Sequence, residues 1–114
     1  MTHYMNLHPN PFNMIATKKK TIELRLYDPK RQLITPGDRI VFSNTQHPGQ
    51  TITVIVQKLH IFSTFTELYR ALPLEQCGYL PEELDTASPR DMEAYYSPIQ
   101  QTQYGVVGIE IELL

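Results

Sequence analysis

Apolar and polar positions alternate most clearly in two stretches of the chain. From Thr21 to Tyr27, Ile22, Leu24 and Leu26 alternate with Glu23, Arg25 and Tyr27. A period of two predicts a half-buried strand with one charged face. From Tyr104 to Leu113, Val107, Ile109, Ile111 and Leu113 alternate with Gly108, Glu110 and Glu112, which predicts the last strand. Thr51 to Ile61 is a long β-branched run and reads as another strand. His3–Leu7 and Arg39–Ser43 are shorter candidates. Two turns separate these pieces, at Thr35-Pro36-Gly37-Asp38 and His47-Pro48-Gly49-Gln50. The first suits a type II turn, with Pro at its second position and Gly at its third.

Helical spacing appears in shorter segments. Asn10-Pro11 reads as an N-cap followed by a first helical residue, with Phe12, Ile15 and Ala16 on one face. That helix should end near Lys18–Lys20. Ser63 or Thr64 can cap a helix over Phe65–Leu72, with Glu67 completing a capping box for Thr64 and Pro73 stopping it. Ser88-Pro89 opens a short helix to Tyr96, ended before Pro98. A further short helix fits around Pro81–Leu84, and Pro98–Gln103 reads as a polar loop. Five or six strands and about three short helices, without regular alternation, disfavour a doubly wound parallel sheet. They predict an α+β chain built on a small curled sheet or barrel, mixed or antiparallel, with helices at its ends.

At 114 residues the chain is expected to form a single domain over 1–114. It has no apolar run long enough for a membrane span and no signal-peptide pattern, so a cytoplasmic location and no membrane partner are expected. A lone cysteine, Cys77, excludes an internal disulfide framework. His3, His8, His47 and His60 show no paired metal spacing, and no nucleotide-cofactor glycine motif occurs. Neither a metal site nor a cofactor is expected. The net charge of −2 averages two unlike halves. Residues 1–60 hold eight basic and three acidic side chains, and the remainder holds two and nine. Such asymmetry points to an anionic partner on one side, or to an ordinary surface once folding mixes the halves.

Lys20-Thr21-Ile22-Glu23-Leu24-Arg25 carries the most chemistry. On a strand, Glu23 and Arg25 share a face, and Lys20 stands at its start. Two cations and one carboxylate can bind phosphate or a base edge, or act as an acid–base pair. The alternative is a surface ion pair contributing about 0–1 kcal/mol. Tyr95 and Tyr96 offer rings for base stacking, one expected in the core and one on the cleft. Ser97 can donate to a phosphate or end the preceding helix.

Leu7 through Leu26, with Pro11-Phe12, Ile15 and Lys20-Thr21-Ile22-Glu23-Leu24-Arg25, resembles the opening of an ASCH domain (activating signal cointegrator homology domain). Pro36-Gly37-Asp38-Arg39-Ile40-Val41-Phe42 resembles its turn and second strand. Phe62, Phe65 and Leu68, then Tyr95-Tyr96-Ser97 and Tyr104-Gly105-Val106-Val107-Gly108-Ile109, resemble its later blocks. The family motif is roughly Gly-x-Lys-x-x-Glu-x-Arg, and this chain departs from it at Lys18, where the glycine would stand. The resemblance implies a PUA-like β-barrel with RNA or a nucleotide as partner, in a cleft lined by Lys20, Glu23, Arg25, Tyr95, Tyr96 and Ser97. It also implies a hydrolase alternative, since some small family members are N4-acetylcytidine amidohydrolases. Lys20 and Glu23 would then be the catalytic pair. Those enzymes carry a threonine nucleophile where Glu23 stands, and Thr21 falls on the other side of the strand. A third reading is a protein-interaction module using the acidic second half.

Overall fold

The computed structural model describes residues 1–114. The chain forms β1 (Thr2–Leu7), α1 (Pro9–Ala16), β2 (Ile22–Leu26), β3 (Arg39–Asn44), β4 (Thr51–Phe62), α2 (Phe65–Ala71), α3 (Pro98–Tyr104) and β5 (Val106–Leu113). Four short 3-10 segments cover Arg31–Leu33, Leu74–Cys77, Pro81–Thr86 and Pro89–Ala94. The five strands make one sheet in the order β1-β3-β4-β5-β2. β1 runs parallel to β3 and every other pairing is antiparallel. The expected mixed, curled sheet of an α+β fold is therefore present.

β4 is the spine. Its first half pairs with β3 and its second with β5. The register against β5 slips between Val56 and Lys58, and such a bulge bends a strand and increases its local twist. The curl divides the core in two. One cluster lies inside the curl and includes Met5, Phe12, Ile15, Ile40, Phe42, Val54, Val107 and Ile109. The other lies behind β2 and β5, where Ile22, Leu24, Leu26 and Val106 pack against Phe65, Leu68, Cys77 and Met92.

Three local expectations are corrected. Helix α1 begins at Pro9 with His8 in the cap position, not at Asn10-Pro11, and His8 makes no side-chain cap bond. Two prolines in one first turn are tolerated because the first backbone N–H groups of a helix have no intrahelical partner. Pro98–Gln103 is not a loop but most of α3. Ser97 is its N-cap and accepts a hydrogen bond from the Gln100 backbone N–H, while Gln100 reaches back to the Ser97 N–H. The segment from Pro89 is a 3-10 turn ending at Ala94 rather than a helix reaching Tyr96. The Thr64 cap forms with Glu67, although the Glu67 carboxylate takes the Ser63 N–H.

β2 also differs from a half-buried strand. Ile22, Glu23, Leu24 and Leu26 are all buried. The reason lies in the register: Glu23 pairs with Ile109 and Arg25 with Val107, so both point into the curl on the same face as the first cluster. The apolar face of β2 is covered from behind by α2 and the 3-10 segments. The charged face is thus an enclosed one.

Candidate functional site

Helix α1 ends at Ala16, and the chain turns sharply through Lys18, whose φ of 64° is left-handed. The backbone N–H of Lys18 bonds to Ile15 O, and those of Lys19 and Lys20 both bond to Met14 O. A residue after a helix that adopts this conformation is usually glycine. Lysine replaces it here and the turn is kept. Thr21 N–H then bonds to Gln76 O at 2.9 Å, anchoring the start of β2 to the 3-10 turn Leu74–Cys77. Gly78, at φ 108°, lies against the Lys20 stem: a Cβ there would stand 3.3 Å from Lys20 Cδ.

These devices bring Lys20 to Glu23. Lys20 Nζ lies 2.7 Å from Glu23 Oε1, and Arg25 Nε lies 2.7 Å from Glu23 Oε2. Each carboxylate oxygen has its own cation, and Glu23 is only 3% exposed. Arg25 Nη2 also donates to Asn6 O at 2.9 Å, and Lys30 Nζ donates to Tyr4 O at 2.8 Å. Because β1 and β2 are the two edge strands, these bonds stitch the open seam of the sheet. Burial by itself would raise the Glu23 pKa. The charges of Lys20 and Arg25, with their hydrogen bonds, reverse that and hold it below the ordinary value. Burial would lower the Arg25 pKa, but Glu23 beside it makes the net shift upward.

The triad forms the floor of an open cleft of about 1000 Å³. The β1–α1 connection and α1 supply one wall, including Asn10, Asn13 and Met14. The opposite wall comes from residues 77–96 and carries Tyr79, Asp91, Tyr95 and Tyr96. Tyr96 is largely enclosed. One face of its ring is stacked on Phe65, with centroids 6.4 Å apart and planes 14° apart. Burial raises its hydroxyl pKa, with Arg25 pulling the other way. Tyr95 is 64% exposed, so its ring is the one free to stack. Ser97 does not line the cleft; its hydroxyl is engaged as the α3 cap.

A polar chain not foreseen from the sequence pattern runs along the second wall. Tyr79 donates its hydroxyl proton to Asp91 Oδ2 at 2.7 Å and so accepts from Tyr69, whose hydroxyl is 2.7 Å away. Burial raises the pKa of both tyrosines. Nothing in the local sequence signals this chain, because its members come from α2, from the link between two 3-10 segments and from the segment Pro89–Ala94. Burial pushes the Cys77 thiol up to about 11, which makes it inert at neutral pH. Thr21 lies off the cleft and its hydroxyl faces Gln76 Oε1 at 3.3 Å.

The family model for the ASCH domain matches residues 5–114. The chain belongs to the ASCH domain family. Among solved structures, this ASCH domain is similar to hypothetical protein PH0355, at 32% identity and a TM-score of 0.82, with both chains covered in full. It is also similar to protein PF0455 from Pyrococcus furiosus, at 33% identity and a TM-score of 0.73, covering all of this chain and 98% of that one. ASCH from Zymomonas mobilis shares the fold at 18% identity and a TM-score of 0.58, covering 97% of this chain and 66% of that one. No curated protein matches it. The ASCH domain has a PUA-like fold of a kind generally associated with RNA binding. No helix is long and apolar enough to cross a membrane.

Proposed function

We propose that this ASCH domain binds single-stranded RNA, or a nucleotide or nucleoside, in the cleft above Glu23. The observation that supports this reading is convergence: Lys20, Glu23, Arg25, Tyr95 and Tyr96 all line one open cavity. Glu23 has no oxygen left over, so its role is to hold the two cations in place rather than to read a base. Arg25 keeps N–H groups beyond those given to Glu23 and Asn6, and Lys20 keeps two beyond its contact with Glu23. These donate to ligand oxygens. Tyr95 stacks on a base, and base–aromatic stacking contributes about 1–3 kcal/mol.

The test is fluorescence anisotropy with a mixed-sequence single-stranded RNA at low salt. Tyr95→Ala is the informative variant, because its side chain is exposed and its loss leaves the core intact. Affinity should fall roughly five- to hundredfold, in line with one lost stack. Absence of RNA binding, or binding indifferent to this change, overturns the reading. Arg25→Ala should also weaken binding, but it opens the seam to β1 as well.

A second reading rests on the 2.7 Å contact between Lys20 Nζ and Glu23 Oε1. A buried lysine–carboxylate pair at the bottom of a cleft has the makings of an acid–base couple for hydrolysis of a modified nucleoside. Incubation with N4-acetylcytidine, followed by mass spectrometry, separates it from simple binding. Product formed by the parent protein and lost in Glu23→Gln would support it.

A further inference from the structure

The charges lining the cleft are two cations, Lys20 and Arg25, and three carboxylates, Glu23, Glu83 and Asp91. Both cations are already on Glu23. The interior therefore carries a net charge of about minus one, and neither cation is without a carboxylate partner, although each keeps N–H groups to donate. That is a poor environment for a phosphate, despite the excess of basic residues in the first half of the sequence. The same interior is rich in neutral donors and acceptors.

Two of these stand together. Asn10 and Asn13 are three residues apart on α1, exposed, and both line the cleft. Residues at that spacing lie on one helix face. Asparagine near a helix start ordinarily caps it. Here the cap position is His8, two residues earlier, and Asn10 lies inside the first turn. The hydrogen bonds that hold this wall run through the backbone, from Phe12 N–H to His8 O and from Thr17 N–H to Asn13 O. The side-chain amides are left to the cavity. An amide presents a donor beside an acceptor, which complements the edge of a nucleobase. Tyr95, exposed on the opposite wall, supplies a ring for its face.

Building on the binding reading above, we propose that the cleft takes an uncharged nucleobase, with its edge read by Asn10 and Asn13, and keeps phosphate outside. A free nucleoside then binds better than its 5′-monophosphate, and in RNA the recognised unit is one splayed base. Asn10 and Asn13 are the specificity-determining residues. The base lies between the α1 wall and Tyr95, above the Lys20–Glu23–Arg25 floor.

The experiment is a two-dimensional NMR titration of the intact protein with adenosine, cytidine and their 5′-monophosphates at low salt. The expected result is perturbation of the Asn10 and Asn13 side-chain amides by at least one nucleoside, with weaker binding of its monophosphate. The double variant Asn10→Ala, Asn13→Ala should lose about tenfold in nucleoside affinity, as two neutral hydrogen bonds imply, with an unchanged melting temperature. Tighter binding of the monophosphate, or a double variant that binds like the parent, overturns the proposal. So does RNA binding through Tyr95 while no nucleoside perturbs the cleft at millimolar concentration. Those outcomes leave the RNA-binding reading standing. Failure of both RNA and nucleosides to perturb the cleft removes both.

Discussion

Two carboxylates in this protein are buried, and they are held in opposite ways. Glu23 is 3% exposed and Asp38 is 8% exposed. Asp38 belongs to the turn before β3. Its Oδ2 accepts from the Thr35 backbone N–H at 3.0 Å and faces His3 Nε2 at 2.8 Å. Those partners, with the Met1 ammonium 3.2 Å from Oδ1, tie a turn to the first strand, and Asp38 does not line the cleft. Glu23 takes no backbone N–H. Both its partners are long cationic side chains delivered from separate places, and an open cavity lies above them. A carboxylate whose partners join a turn to the start of the chain braces the fold. One enclosed by two side-chain cations organises a surface that something else can touch.

The largest expected effect comes from removing the Glu23 carboxylate. Glu23→Ala leaves two mostly buried cations without their counter-charge, which costs about 3–5 kcal/mol when a buried pair is broken from one side. Denaturant unfolding should show it as a lower midpoint with little change in slope. Glu23→Gln keeps the shape and one acceptor oxygen, so its loss should be smaller. Asp38→Asn should lower the melting temperature less than Glu23→Ala, since a neutral amide oxygen can still accept from Thr35 N–H. Equal losses at the two sites would erase the distinction drawn between them.

Acid sharpens the comparison. Hydrogen bonds from His3 and Thr35 hold the Asp38 carboxyl well below the usual range. The net shift of Glu23 is also downward. A depressed folded-state pKa gives stability that is fully present above the unfolded value, about 4, and is lost as pH falls through the folded value. Stability should therefore hold down to about pH 4 and fall below it. In Glu23→Gln and in Asp38→Asn that fall should be shallower, each lacking one of the two contributing groups. A curve below pH 4 that keeps the parent's steepness in both variants would mean that neither carboxylate drives acid unfolding.

Much of this arrangement could be read from the pattern of residues, and what could not has a physical cause. The alternation of Ile22, Leu24 and Leu26 against Glu23 and Arg25 correctly placed the last two on one face. It could not say that this face is the inner one, because that depends on β5 and on the curl at the β4 bulge. The Thr64 cap and the Gly37 turn were legible because each rests on a few adjacent residues. Gly37 indeed has φ 93°, and Asp38 N–H bonds back to Thr35 O. Asn10 misled because His8-Pro9 and Asn10-Pro11 are rival helix starts of the same kind, and the helix takes the earlier one. Asn10 is thereby left inside the first turn, where it lines the cleft. Pro98–Gln103 lacks a buried apolar stripe, so nothing in its periodicity announced α3. The available signals were the Ser97 and Gln100 capping box and Pro98 at the first helical position.

The smallest effect expected is a gain, and it tests how the Glu23 side of the comparison is built. Lys18 holds φ 64° in the turn that carries the chain from α1 to Lys20. Left-handed backbone costs an L-residue roughly 1–2 kcal/mol, whereas glycine adopts it freely. Glycine also loses more freedom on folding, by about 0.5–1 kcal/mol. Lys18→Gly should therefore stabilise the protein by roughly 0–1.5 kcal/mol, the remainder after those two terms oppose. The exposed Lys18 side chain forms no ion pair, so little is lost with it. Thermal unfolding should move upward by a few degrees for a domain of this size. Nothing comparable is available near Asp38, where the left-handed position is already Gly37. If Lys18→Gly lowers the melting temperature, the lysine stem stabilises the turn in some way that outweighs its strain. Lys20 would then owe its place above Glu23 to its neighbour's side chain as well as to the backbone turn.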